Sequence, residues 1–235
     1  MTFHSFLLID VFLYIVVIPC IVYFFGVLFY EAVANDKFKI ASTKTNKDVS
    51  NLKSSIYVLG VFAFKAVFVA LSIPLFTEFN SNFFILYLSD IPIFLLKVIG
   101  FYLITDTLFY WGHRLLHLKF FYKNFHYLHH KYINPKPVSG AFVHVVEYLI
   151  CYSFPYFLGN IILDLTLLEF CIVISMGYLH NVHDHCGHKF PWDIFNFIKY
   201  SNNVSHHDVH HKNPKCNFSG GFFKFWDAIC GTRLK

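Results

Sequence analysis

The chain has 235 residues, 56% of them hydrophobic and only 14% charged, with 31 Phe and 15 Tyr. Soluble domains run at about 45–50% apolar and about 25% charged, and one small core cannot hide this much apolar surface. A soluble enzyme and a disordered chain are therefore excluded, and a net charge of +5 gives no reason to expect a nucleic-acid partner.

Spanning a bilayer by helix needs about 20 mostly apolar residues. Residues 5–30 qualify as a retained first span, interrupted only by Asp10, and residues 56–76 qualify with Lys65 inside them. Residues 83–111 form a third span, able to tilt or to start in the interface near Asp90 and Pro92. Residues 145–158 and 161–179 read as a tight helical hairpin that turns at Gly159-Asn160. The expected fold is all-α: a polytopic membrane bundle of four or five spans with a cytosolic, histidine-rich di-metal cap. Residues 1–99 supply N-terminal helices and a cytosolic loop, and residues 100–235 the catalytic part.

All but Lys65 and Lys97 of the 19 Lys and Arg fall in the first loop, after the third span, or in the tail after the hairpin. These segments share one side of the membrane, which the positive-inside rule makes cytosolic. The sequons at Asn203 and Asn217 lie on that side, so neither is expected to carry a glycan. The six Cys form no C-x-x-C pair, and reduced thiols are expected. Trp111, Trp192 and Trp226 are placed in the interfacial aromatic belt.

The histidines carry the chemistry. Of 15, all but His4 lie between residues 113 and 211. His113 and His117 form H-x-x-x-H, while His126, His129, His130 and His207, His210, His211 each form H-x-x-H-H. Residues at i, i+3 and i+4 share a helix face, so each cluster can aim several imidazoles one way. Neutral imidazole is the commonest nitrogen ligand for transition metals, and so many rings exceed what one tetrahedral ion takes. Two metals is the economical reading. Residues 112–144 hold no Asp or Glu, unlike the Glu-rich site of ferritin-like bundles. A lone histidine such as His144 reads as a hydrogen-bonded core residue. Asp106 and Tyr110, below His113, either fix an imidazole tautomer or form a polar helix end. Asp208 either supports a ligand or caps a helix. Glu147, Asp164, Glu169 and Lys97 are charges in or near spans, functional or snorkelling.

The run from Asp106 to His117 (DTLFYWGHRLLH), the run from Tyr122 to His130 (YKNFHYLHH), the segment HDHCGH at 183–188 before Pro191-Trp192, and the ending HHDVHHKNPKCNFSGGFFKFWDAICGT at 206–232 resemble the sterol desaturase/fatty acid hydroxylase superfamily. His206-His207-Asp208 and Asn217-Phe218 are most similar to its sterol-oxidising members, the cholesterol 25-hydroxylases and sterol 4-methyl oxidases. The resemblance implies a non-haem di-iron oxidase of the endoplasmic reticulum membrane that uses dioxygen and NAD(P)H-derived electrons to hydroxylate a lipid, a sterol foremost. It implies His113, His117, His126, His129, His130, His185, His207, His210 and His211 as ligands. His180, His183 and His188 compete with His185 at the fourth cluster, with His180 a further candidate. Cytochrome b5 and a reductase are the implied electron donors, consistent with the lack of a G-x-G-x-x-G fingerprint in these residues. Fatty-acyl or sphingolipid hydroxylation and sterol desaturation are alternatives within the same chemistry. A zinc-binding transporter or sensor is the alternative outside it.

Overall fold

The computed structural model describes residues 9–42, 46, 51–72 and 88–234. Among them there is no β-strand, only two isolated bridges, Lys39 to His188 and Ser201 to Phe223. Seven helices organise the described residues: α1 (Ile9–Val33), α2 (Asn51–Ser72), α3 (Ile91–Leu116), α4 (Val145–Leu163), α5 (Leu167–Asp184), α6 (Val204–Lys212) and α7 (Phe225–Ile229). Among the described residues, α1, α3 and α4 are long and apolar enough to cross a membrane. The apolar part of α2, Ser54–Val69, is shorter. The ends of three expected spans, residues 5–8, 73–76 and 83–87, lie outside the described residues.

Prolines shape the spans. Pro92 sits in the first turn of α3, where its missing N–H would be unpaired anyway. Pro19 and Pro155 each remove a donor inside a long helix, and a π turn lies just ahead of each, at Leu13–Val17 and Leu149–Ser153. Large apolar side chains such as Ile21, Phe25 and Leu28 on α1 and Ile93, Leu95 and Leu96 on α3 are exposed. Exposed apolar surface on this scale fits a lipid surround.

The hairpin turns later than its sequence suggested. The helix runs through Gly159-Asn160 to Leu163, and both residues are buried in it. A Cβ on Gly159 would stand 3.0 Å from the Phe101 ring, so this glycine lets α4 approach α3 closely rather than breaking the helix. The turn falls at Asp164, which adopts a left-handed conformation (φ 47°). Thr166 and Glu169 then cap α5 reciprocally: Thr166 Oγ1 accepts from Glu169 N at 3.2 Å and Glu169 Oε2 from Thr166 N at 2.8 Å. Lys97 on α3 fastens this end, donating to Asp164 O at 3.0 Å and pairing with Glu169 at 3.1 Å.

At the opposite end of α3, short turns carry residues 119–141 across the bundle before α4 descends and α5 returns. Tyr23 of α1 donates to Val138 O at 3.0 Å, and Ser54 of α2 shares a 2.5 Å hydrogen bond with Tyr132. These contacts tie the first two helices to the cap.

Candidate metal centre

The cap gathers the histidines into two buried groups. His113, His117, His126, His130 and His210 form one, and His129, His185, His207 and His211 form the other, with candidate ligand atoms within 4.8 Å of each other in each group. All nine residues singled out by the resemblance fall in one or the other. His117 alone among them is partly exposed. Residues four apart share a group (113/117, 126/130, 207/211), whereas residues three apart (126/129, 207/210) divide between them.

The nitrogens converge. In the first group His113 Nε2 lies 2.9 Å from His126 Nε2 and 3.2 Å from His117 Nε2, and His126 Nε2 lies 3.0 Å from both His117 and His130. In the second, His185 Nε2 is 2.9 Å from His207 Nε2, which is 3.1 Å from His211 Nε2, while His129 Nε2 stands 3.4 Å from His185. Metal–imidazole bonds of about 2.0–2.1 Å leave neighbouring donor atoms about 3.0–3.4 Å apart. The groups adjoin, since the His130 and His211 rings are 5.0 Å apart and the His126 and His129 rings 5.6 Å apart across them.

The proton inventory supports the same use. His113 Nδ1 donates to Phe218 O at 2.6 Å, His185 Nδ1 to Asn181 O at 2.7 Å and His210 Nδ1 to Cys216 O at 2.7 Å. A carbonyl only accepts, so these three rings carry their proton on Nδ1 and turn an Nε2 lone pair inward. His210 Nε2 is buried with no hydrogen-bond partner among the described residues. Burial first, then the crowd of imidazoles, holds His117, His126, His129, His130, His207, His210 and His211 well below the usual imidazole range. Burial likewise takes His185 down to about 4. Neutral rings with converging lone pairs repel unless a Lewis acid lies between them. The donor set is all imidazole and fits borderline transition-metal ions.

A layer of carboxylates stands behind the rings. Glu147 Oε2 lies 2.8 Å from His126 Nδ1; the spacing did not reveal this contact, and its only signal was an acidic residue in an apolar run. Asp227 accepts from His206 Nε2 at 3.0 Å and from the backbone of Phe218 and Ser219 at 2.9 Å each. Burial alone would raise Asp227, but these bonds and the one from Thr232 hold it below the carboxylate range. Asp227 thus fixes the loop whose Phe218 carbonyl orients His113.

Asp106 and Tyr110 do not fix an imidazole. Asp106 Oδ2 accepts from Phe223 N at 2.8 Å, and the Tyr110 hydroxyl meets Thr232 Oγ1 at 2.9 Å. Their helix face meets the C-terminal loop rather than a ring, so both anchor that loop. Asp208 pairs with Lys212 at 2.5 Å, and the cap of α6 is Asn203, whose side chain accepts from His206 N at 3.0 Å. His144 is a capping residue: its Nδ1 accepts from Val146 N at 3.1 Å. His180 and His183 join Asp184 in a separate group, and His188 Nδ1 bonds Cys186 O at 2.8 Å. Asn217, in a sequon, is fully buried, and its side chain holds His206 O and Leu234 N.

An apolar cavity of about 310 Å³ opens beneath the cap among α1, α2, α4 and α5. Tyr152 forms part of its wall and accepts from Asn181 Nδ2 at 3.1 Å, and Asn181 in turn holds His185. Tyr152 also packs on Phe109, which packs on His113.

Fold and site together define an all-helical membrane protein with a buried, histidine-rich centre at one end of its apolar helices. The chain belongs to the fatty acid hydroxylase family, which it matches over residues 98–232. It is 33% identical over 139 residues to methylsterol monooxygenase 2-2 of Arabidopsis thaliana, covering 58% of this chain and 52% of that one. It is 34% identical over 136 residues to the C-4 methylsterol oxidase erg25 of Schizosaccharomyces pombe, covering 56% and 45%. Against sphinganine C4-monooxygenase 2 of Arabidopsis thaliana, identity is 34% over 224 residues, covering 92% and 86%. The chain thus spans about half the length of the two sterol relatives and most of the sphinganine one. No solved structure matches it.

Proposed function

We propose that this chain is a non-haem di-iron lipid hydroxylase, acting on a sterol, seated in the endoplasmic reticulum membrane with its metal groups on the cytosolic face. The observation that carries the reading is the convergence of Nε2 atoms in two adjoining groups whose rings are tautomer-locked from behind. His113, His117, His126, His130 and His210 would hold one iron, and His129, His185, His207 and His211 the other. Such a centre supplies dioxygen activation and attack on a C–H bond.

The chain's own residues do the rest. Carbonyls of Phe218, Asn181 and Cys216 and the Glu147 carboxylate keep the imidazoles aimed. The aromatic cavity under Tyr152 excludes water and holds the lipid against the cap. Electrons from NAD(P)H would arrive through cytochrome b5 and a reductase, for which the basic cap offers an encounter surface. Similarity to the methylsterol oxidases supports a sterol substrate.

Sphingoid-base hydroxylation is a second reading. It is favoured by one observation: similarity to the sphinganine C4-monooxygenase extends over nearly the whole chain, including the α1 and α2 that wall the cavity. Metal analysis of purified protein, with mass spectrometry of lipids from cells fed labelled sterols and labelled sphinganine, tests both. Two irons per chain and a dioxygen-dependent hydroxysterol are expected. A hydroxylated sphingoid base would move the substrate to the second reading. Zinc with no oxidised lipid would overturn the proposal in favour of a metal transporter or sensor.

A further inference from the structure

One charge in the apolar helices is unexplained by the metal groups. Lys65 of α2 is 5% exposed and lines the 310 Å³ cavity together with Tyr148, Tyr152, Tyr156, Phe170 and Tyr178. Its Nζ donates to Tyr178 Oη at 2.8 Å and stands 4.5 Å from that ring's centre. Tyr178 is its only hydrogen-bond acceptor among the described residues, although an ammonium carries three N–H donors. None of the described residues lining the cavity is acidic. A lysine that serves only packing keeps its head in water or beside a carboxylate, and a charge held in an apolar membrane cavity with neither is a mark of function.

We propose that Lys65 is the polar anchor of the bound lipid, donating to an oxygen acceptor, a hydroxyl or a carboxylate, at the buried end of the substrate. This rests on the reading of the chain as a lipid hydroxylase and adds a selection rule to it. Sterol hydroxyls, fatty-acid carboxylates and N-acylated sphingoid lipids offer such an oxygen without a positive charge. A free sphingoid base brings a second ammonium into a cavity whose described lining holds no carboxylate to neutralise the first, and is disfavoured. Tyr178 precedes His185 by seven residues, about 10 Å of helix rise. The anchored oxygen therefore lies several bonds from the carbon presented to the metal groups, with Tyr152 between them.

The test is photolabelling of the full chain in lipid nanodiscs with a diazirine-bearing octadecanol, competed by octadecanol, octadecanoate and octadecylamine. Label is expected within residues 148–157 and 170–178, with the amine competing at least ten-fold more weakly than the alcohol or the acid. Stronger competition by the alcohol points to a hydroxyl-ended substrate and stronger competition by the acid to a carboxylate-ended one, and either supports the anchor. Lys65→Met should cut labelling at least ten-fold and Lys65→Arg restore it, with metal content unchanged in both. Equal competition by the amine in the unmodified chain, no label in the cavity, or undiminished labelling of Lys65→Met would overturn the proposal, and the first two need no variant to fold. Labelling requires neither metal nor dioxygen. A chain that anchors these probes but oxidises nothing would refute the hydroxylase reading alone, and one that oxidises a lipid without discriminating the amine would refute the anchor alone.

Discussion

The cap contains histidines in two kinds of company, and the contrast shows what separates a metal-binding arrangement from a structural one. In the two groups, nine rings in all, the outward nitrogens of His113, His185 and His210 are spent on backbone carbonyls, and the inward Nε2 atoms face other Nε2 atoms. In the neighbouring trio the nitrogens face oxygen. His180 Nε2 donates to Gly221 O at 2.9 Å, and His183 lies between Asp184 at 3.3 Å and Asp193 at 3.0 Å. Burial would lower His183, but the two carboxylates outweigh it and raise it to about 9. A protonated ring is a poor ligand and a good ion-pair partner. The same residue type is therefore poised for a cation in one place and acts as the cation in the other.

Removing a ring from the converging groups should have the largest effect. His129→Ala or His210→Ala is expected to lose at least one metal equivalent and to lower product by more than about 100-fold, beyond the range seen for supporting residues. Elemental analysis and lipid mass spectrometry read both, and full metal content in either variant would remove that ring from the ligand set. Glu147→Gln tests the layer behind. It keeps the volume but weakens the partner of His126, and a loss of about 10–100-fold in activity or metal affinity is expected.

His183→Asn should sharpen the contrast by separating metal from stability. Metal content per folded molecule stays at the unmodified level, while the uncovered Asp184 and Asp193 cost about 3–5 kcal/mol in a denaturation experiment. Loss of metal without loss of stability would place His183 among the ligands. The smallest effect is expected for His144→Ala, which removes the acceptor for Val146 N. About 1 kcal/mol of stability should go, with activity per folded molecule intact.

Much of this centre was legible before folding because helical periodicity is local. The spacings 113/117, 126/130 and 207/211 already place each pair on one helix face, and the structure brings each pair into one group. The Thr166/Glu169 capping box is equally local, spanning three positions, whereas Gly159-Asn160 is ambiguous. A glycine in a membrane helix can mark a turn or a close approach, and only the position of Phe101 decides between them. Glu147, Asp227 and Asn181 were out of reach for a different reason. Their partners His126, Phe218 and Tyr152 stand 21, 9 and 29 positions away in the chain, on other turns or helices, where no periodicity relates them.

The sequence by itself determined that the chain is a membrane helical protein and that its histidines come in facing sets, because hydropathy and helical spacing depend on near neighbours. Only the tertiary structure decided that His129 and His130, adjacent in the chain, serve different groups, that His180 and His183 turn to carboxylate and carbonyl oxygens, and that Lys65 looks into an apolar cavity. Each of these depends on which distant element supplies the facing atom, and the packing of α1 to α6 around the cap sets that.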